Sequence, residues 1–282
     1  MFLIRARFGN RTVLARSSAG AAAAVLVATE SSHVCADVLR ECLAAGTDPL
    51  TAEGPRVPVR ALTPLAPVRS PAAVVGVGLN YHDHAREVGA EPGPRPLLFG
   101  KTPGALADPD AELVLPSAEV DYEGELAVVI GRETAGVPVR KALGHVLGYT
   151  IANDLTARDF QREDTLWFRG KSFRGSCPLG PVLVSAEAVP DLRALTIRTT
   201  VDGAVVQHGS VADMIFPVAE LVSFTSRYLT LQPGDVLLTG TPSGVGVARR
   251  PPLLLTDGGE VTVEIDGIGL LRNRVRVRLP ET

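Results

Sequence analysis

The sequence predicts an α+β fold, on three observations. The chain opens with MFLIRARFGNRTVLARSS, a strand, a turn and a strand, and closes with GGEVTVEIDGIGLLRNRVRVRL, whose alternating valines mark a β-hairpin. Between these ends the apolar runs are short and strand-like. Helical patterns are few and scattered, at about Ala36 to Ala45, Pro138 to Val146 and Val218 to Tyr228. A chain of 282 residues holds one large domain, or a large one with a small one. The expected division is a small N-terminal α+β unit over residues 1–68 and a main domain over residues 69–282.

The N-terminal unit reads as a hairpin, an Ala-rich element, a helix and a Pro- and Arg-containing run to Arg69. It carries no cluster of catalytic residue types, which suits a structural or dimer-contact element. The main domain opens with the buried-strand pattern AAVVGVGLNY. Gly76 and Gly78 suggest a dinucleotide loop, but Tyr81 stands where a third glycine is needed and Asn80 would crowd a phosphate. In HDHAREVG, His84 and Glu87 are three apart and share a helical face, so the carboxylate can orient the imidazole as a general base. A surface His beside a surface Glu is the plain alternative. PLLFGKTPGAL then places Lys101 at a strand end before a Pro-Gly turn.

VDYEGELAVVIG, Val120 to Gly131, is the stretch around which the rest is organised. In one continuous strand Asp121, Glu123 and Glu125 share a face with Ala127 and Val129, while Tyr122, Leu126, Val128 and Ile130 take the other. Carboxylates side by side in a partly dry place must be protonated, paired with Lys or Arg, or gathered round a cation. Oxygen ligands suit a hard ion such as Mg²⁺ or Mn²⁺. A strand end emerging into solvent is the alternative. In GYTIANDLTARDFQ, Asp154 stands at a good helix N-cap, with Arg158 and Gln161 following on the helix face. FRGKSFRGSCPLGP presents Lys171 in a glycine-flanked loop, and LQPGDVLLTGTPSGVG offers hydroxyl and backbone N–H donors, including Thr241, among glycines.

Composition narrows the classes. Hydrophobic residues at 45% and charged residues at 21% describe an ordinary globular protein, and a net charge of −3 gives no general attraction to nucleic acid or anionic membranes. No apolar run approaches the roughly 20 residues of a membrane helix, so a cytoplasmic enzyme is expected. Three cysteines, Cys35, Cys42 and Cys177, match neither a zinc pair nor a disulfide framework. Arginine supplies 25 of the 28 basic residues, and two of the three lysines, Lys101 and Lys171, lie in glycine-rich segments.

Together GLNYHDH, FGKTPGAL, DYEGELAVVIG, GYTIANDLTARDFQ, GKSF with PLGP, and LQPGDVLLTGTPSGVG, in this order and spacing, resemble the fumarylacetoacetate hydrolase family from about Ala72 onward. The resemblance implies a mixed β-roll, a homodimer, and one divalent ion per site, Mg²⁺ with Mn²⁺ or Ca²⁺ as alternatives. It implies Glu123, Glu125 and Asp154 as metal carboxylates and His84 with Glu87 as the water-activating pair. Arg158, Gln161 and Lys171 would stabilise an oxyanion or enolate, and Tyr81, Lys101 and Thr241 would contact the substrate. The longer hydrolases carry a further Asp ligand where this chain has Val77, which points to the three-carboxylate branch of acylpyruvate hydrolases, oxaloacetate decarboxylases and hydroxy-dienedioate isomerases. The expected activity is metal-dependent C–C hydrolysis of an acylpyruvate-like 1,3-diketo acid. Decarboxylation or keto–enol isomerisation on the same site is the alternative, and a metal-binding scaffold without chemistry is the non-enzymatic one. Two departures stand out: Arg174 where many relatives have Asp, an expected change of substrate, and Val211 in place of the usual Thr.

Overall fold

The computed structural model describes residues 1–30 and 37–279; Cys35 and Ala36 lie outside them. Valine-rich and β-branched stretches pair into two mixed sheets, giving the expected α+β architecture. From one edge, the larger sheet runs Arg56–Pro58, Ala23–Thr29, Arg11–Ser17, Phe2–Phe8, Cys177–Ser185, Val146–Asn153, Gly124–Ile130, Val236–Leu238, Val74–Gly78 and Leu97–Lys101. The second sheet runs Ala204–Ser210, Thr196–Val201, Glu260–Ile265, Gly269–Val277 and Glu112–Leu115. Its C-terminal pair, Glu260–Ile265 with Gly269–Val277, is the expected hairpin.

The strand Gly124–Ile130 is buried along its whole length, and its two faces separate two cores. Leu126, Val128 and Ile130 pack with Tyr149, Ile151, Ile197, Val263 and Ile265. The helix Val218–Ser226 joins that core through Val218, Leu221 and Val222, its Pro217 sitting just outside the first turn. On the other face Ala127 and Val129 pack with Leu3, Leu14, Val38, Leu39 and Leu179. Residues 1–68 therefore share both a sheet and a core with residues 69–282. The direct strand pairing between the two is short, Phe2 with Val184 and Leu3 with Leu183.

Three local expectations need correction. The acidic stretch is not one strand: Val120–Asp121 pairs with Thr156–Ala157, and a new strand starts at Gly124. At the break the Glu123 N–H donates to the Asn153 side chain at 3.0 Å instead of to a strand neighbour. A Cβ at Gly124 would stand 2.3 Å from the Thr199 hydroxyl, so only glycine lets the two sheets meet there. Asp154 is no N-cap, because residues 156 and 157 are used in the short strand pair and the helix Arg158–Glu163 starts after Ala157. Lys171 ends a one-turn helix, Phe168–Lys171, rather than sitting in an open loop. Its neighbour Gly170 packs against the backbone of the preceding helix, where a Cβ would be 2.9 Å from the Gln161 nitrogen.

Candidate active site and metal centre

The break in the acidic stretch separates its carboxylates. Glu123, Glu125 and Asp154 are all buried and bring carboxylate oxygens within 4.8 Å of one another. Asp121 points elsewhere and accepts two bonds from Arg158, from Nε at 2.9 Å and from Nη2 at 2.7 Å. Arg158 Nη2 also donates to Glu123 at 2.8 Å, and Nη1 donates to the Gln161 side-chain oxygen at 2.9 Å. Lys171 Nζ bridges Glu123 and Asp154, 2.7 Å from each, while Lys101 Nζ donates to the other Asp154 oxygen at 2.6 Å. The Lys171 ammonium also lies 5.0 Å from the centroid of the Phe99 ring.

Charge within this cluster is nearly balanced. Asp121, Glu123, Glu125 and Asp154 face Arg158, Lys101 and Lys171, which leaves one net negative charge when all are ionised. The surplus falls on Glu125, whose bond is to the backbone N–H of Gly240 at 2.7 Å and which makes no ion pair among the described residues. Burial, then Asp154 and Glu123, push its carboxyl well above the usual range. Burial alone would raise Glu123 too, but Lys171 and Arg158 hold it at about 2. Three converging oxygen donors with one carboxylate lacking a countercharge fit a hard divalent cation.

A pH dependence follows. A carboxyl raised in the folded protein destabilises it as pH climbs from the unfolded value near 4.5 toward the folded one, because only the unfolded chain releases the proton. The Glu123 contribution is complete above pH 4.5 and does not mask this slope. Metal-free protein is expected to lose thermal stability as pH rises above the ordinary carboxylate range, and divalent metal to restore it with a gain that grows with pH. Thermal melts at rising pH check this, and Glu125→Gln should flatten the metal-free curve; a wild-type curve already flat would contradict it.

The site opens into a cavity of about 190 Å³ lined by Glu123, Glu125, Arg158, Gln161, Lys171, His84 and Thr241 on its polar side. Val77, Leu79, Val88, Phe99, Trp167, Val245 and Val247 form the apolar side. His84 sits on the short helix His82–Glu87, and its Nδ1 meets the Glu87 carboxylate at 3.1 Å. The backbone N–H of Gly244 holds the other Glu87 oxygen at 2.7 Å, so the pair is fixed rather than a surface coincidence. Thr241 donates to the Gly124 carbonyl at 2.9 Å and receives the Gln207 amide at 2.8 Å.

Two expected substrate contacts are placed differently. Lys101 and Tyr81 are buried outside the cavity lining, Lys101 engaged by Asp154. The Tyr81 hydroxyl has no hydrogen-bond partner among the described residues, and burial, then Glu125, push its phenol well above its ordinary range. Arg174 is exposed, makes no hydrogen bond or ion pair among the described residues, and does not line the cavity. Its expected influence on substrate choice thus has no direct contact behind it. Burial pushes the Cys177 thiol up to about 12, which suits a packing role. Val211 lines a larger cleft of about 740 Å³, mostly apolar, that holds none of the carboxylate cluster.

Sequence reasoning missed the aromatic wall. Trp167 adopts a left-handed backbone, φ 59° and ψ −2°, and meets Phe99 edge-to-face at 6.0 Å. Gly76 and Gly78, which looked like a dinucleotide signal, make room for this wall. A Cβ at Gly76 would collide with the Phe99 ring at 2.2 Å, and one at Gly78 would stand 3.2 Å from Trp167.

Solved structures of enzymes share this architecture. The structure of 5-carboxymethyl-2-hydroxymuconate delta-isomerase from Mycobacterium smegmatis is similar over 99% of this chain and 100% of its own, with TM-score 0.81 and 34% identity. A fumarylacetoacetate hydrolase from Exiguobacterium antarcticum is similar over 99% and 100%, with TM-score 0.86 and 37% identity. The fumarylacetoacetate (FAA) hydrolase C-terminal family model matches residues 73–276, and the chain belongs to this family. Oxaloacetate tautomerase FAHD2A, mitochondrial, from Homo sapiens is 44% identical over 230 residues, 80% of this chain and 73% of that protein. Among the described residues no helix is long and apolar enough to cross a membrane.

Proposed function

We propose that the protein is a divalent-metal enzyme acting on the keto–enol group of a 2-oxo or 2-hydroxy-dienoic diacid, by tautomerisation or decarboxylation through an enolate. The observation that carries this is the Glu123, Glu125 and Asp154 cluster, short of one positive charge, beside Lys171 and Arg158. A divalent cation held there supplies Lewis-acid polarisation of the 2-oxo group. Lys171 and Arg158 stabilise negative charge developing on the enolate oxygen. The Glu87 carboxylate accepts from His84 Nδ1, which leaves Nε2 as the ring nitrogen free to work on substrate in the cavity. His84 takes a proton from the carbon next to the 2-oxo group and returns it to the enolate oxygen, giving the enol. Loss of carbon dioxide from the same carbon instead leaves the enolate of a 2-oxo acid one carbon shorter, which then takes a proton at carbon.

The names of the relatives, an oxaloacetate tautomerase and a hydroxymuconate isomerase, support this reading over hydrolysis. Hydrolysis of an acylpyruvate stays as the second reading because the His84 and Glu87 pair could also activate water. Product analysis by NMR on oxaloacetate, a 2-hydroxy-dienedioate and acetylpyruvate, with and without chelator, separates them. Chelator-sensitive keto–enol exchange or carbon dioxide release supports the first. Pyruvate with a carboxylate carrying label from isotopically labelled water would establish the second. In either case Glu87→Gln is expected to lower turnover about 10²-fold, since the imidazole loses its orienting carboxylate. Steady-state rates of the variant equal to wild type would reject activation of His84 by the Glu87 carboxylate.

A further inference from the structure

Asp121 is fully buried, and the mechanism above gives it no part. Its carboxylate nonetheless accepts five hydrogen bonds beside the cavity. Oδ2 takes Arg158 Nε and Nη2 together with the Val247 N–H at 3.0 Å, and Oδ1 takes the Gly246 N–H at 2.7 Å and the Tyr122 N–H at 2.9 Å. The loop it grips also holds the general-base pair: Gly244 donates to Glu87, and its carbonyl accepts the Tyr122 hydroxyl at 3.1 Å. Close approach is built in, because a Cβ at Gly246 would stand 2.6 Å from the Asp121 carboxylate and 1.9 Å from the Leu253 carbonyl. Val245 and Val247, on either side of Gly246, form cavity wall.

We infer that Asp121 is a positioning residue, joining the Arg158 side of the cavity to the 244–247 loop that holds Glu87, so that the anion-binding guanidinium and the His84 pair keep one mutual geometry. Arg158 has two carboxylate partners, and they differ in kind. Glu123 belongs to the metal cluster, so its bond to Arg158 competes with a bound cation. Asp121 lies outside that cluster, so its hold on the guanidinium does not compete with a bound cation. Two donors on one Asp121 oxygen set the direction of the guanidinium, and the Nη1 bond to Gln161 completes its plane, which a single bond to Glu123 would leave free to turn.

The inference rests on the proposed function only for its activity readout, so the deciding test is binding. Asp121→Asn keeps the size but loses the charge that holds Arg158. Calorimetry on the purified protein should give a Mn²⁺ affinity within about threefold of wild type. Oxalate, a planar dianion resembling a 2-oxo acid enolate, should bind the Mn²⁺-loaded variant at least tenfold more weakly. Turnover of oxaloacetate should fall with it, mostly in kcat. Unchanged oxalate affinity overturns the inference, and so does a tenfold loss of Mn²⁺ affinity, which would place Asp121 in the metal site instead. Should the single variant fail to fold, Asp121→Asn with Arg158→Gln removes both charges of the pair and should match Arg158→Gln alone in oxalate affinity; a further tenfold loss in the double variant overturns the inference as well. If wild type binds oxalate but shows no keto–enol turnover, the proposed function fails while the binding arms still decide the role of Asp121.

Discussion

Replacing Glu123 by alanine is expected to abolish turnover and to weaken divalent-metal binding by at least about 10²-fold. Glu123 is the point where three sets of interactions meet. It is one of three oxygen donors, it shares Lys171 with Asp154, and it shares Arg158 with Asp121. Its ionised state is built in, since Lys171 and Arg158 hold it at about 2 despite burial that alone would raise it. Removing one member of a buried ion pair usually costs about 3 to 5 kcal/mol. Here each cation keeps a second carboxylate, so the low end, about 3 kcal/mol, is expected, and the variant should still fold. Calorimetric titration with Mn²⁺, beside rate measurements with and without metal, checks both parts. Turnover that survives without bound metal would remove the cluster from the chemistry altogether.

The sequence shows this centre only in part, and the parts it hides share a cause. Alternation along residues 124–130 is a local property, and both faces of that strand are where the pattern puts them. The three-residue spacing of His84 and Glu87 is likewise local, and the two meet on one short helix. What Asp121 does is decided elsewhere in the chain, by Arg158 at a separation of 37 residues and by Gly246 at 125. Extending the strand through Tyr122 and Glu123 therefore placed Asp121 in a row that the fold breaks. Asp154 resembles a helix cap in the sequence for the same reason: its lysine partners lie 53 residues before it and 17 after it, and no local rule brings them together. The aromatic wall has no period at all, because Phe99 and Trp167 come from different elements and their meeting depends on two glycines elsewhere. Arg174 teaches the converse: a charge reversal conspicuous in the sequence lies exposed, without a polar partner among the described residues.

Lys171→Met is expected to cut turnover by about 10² to 10³-fold while leaving metal affinity equal to wild type or higher, the opposite pattern from Glu123→Ala. The reasoning is electrostatic. In the metal-free cluster Asp121, Glu123 and Asp154 are each paired with Arg158, Lys101 or Lys171, and the surplus negative charge falls on Glu125. Taking away the Lys171 ammonium leaves Glu123 with Arg158 alone and Asp154 with Lys101 alone, and adds one uncompensated negative charge to a buried site. That raises the cost of the metal-free state and the gain from a bound cation together. The melting temperature of metal-free Lys171→Met should therefore fall below wild type, and added Mn²⁺ should raise it by more than it raises wild type. Methionine keeps the packing against Phe99, so lost volume does not account for the change. Catalysis still fails, because charge developing on substrate loses the ammonium placed to meet it. Loss of metal affinity in Lys171→Met would instead mean that this lysine orders the carboxylates for the ion, and the enolate-stabilising role would then fall to Arg158 alone.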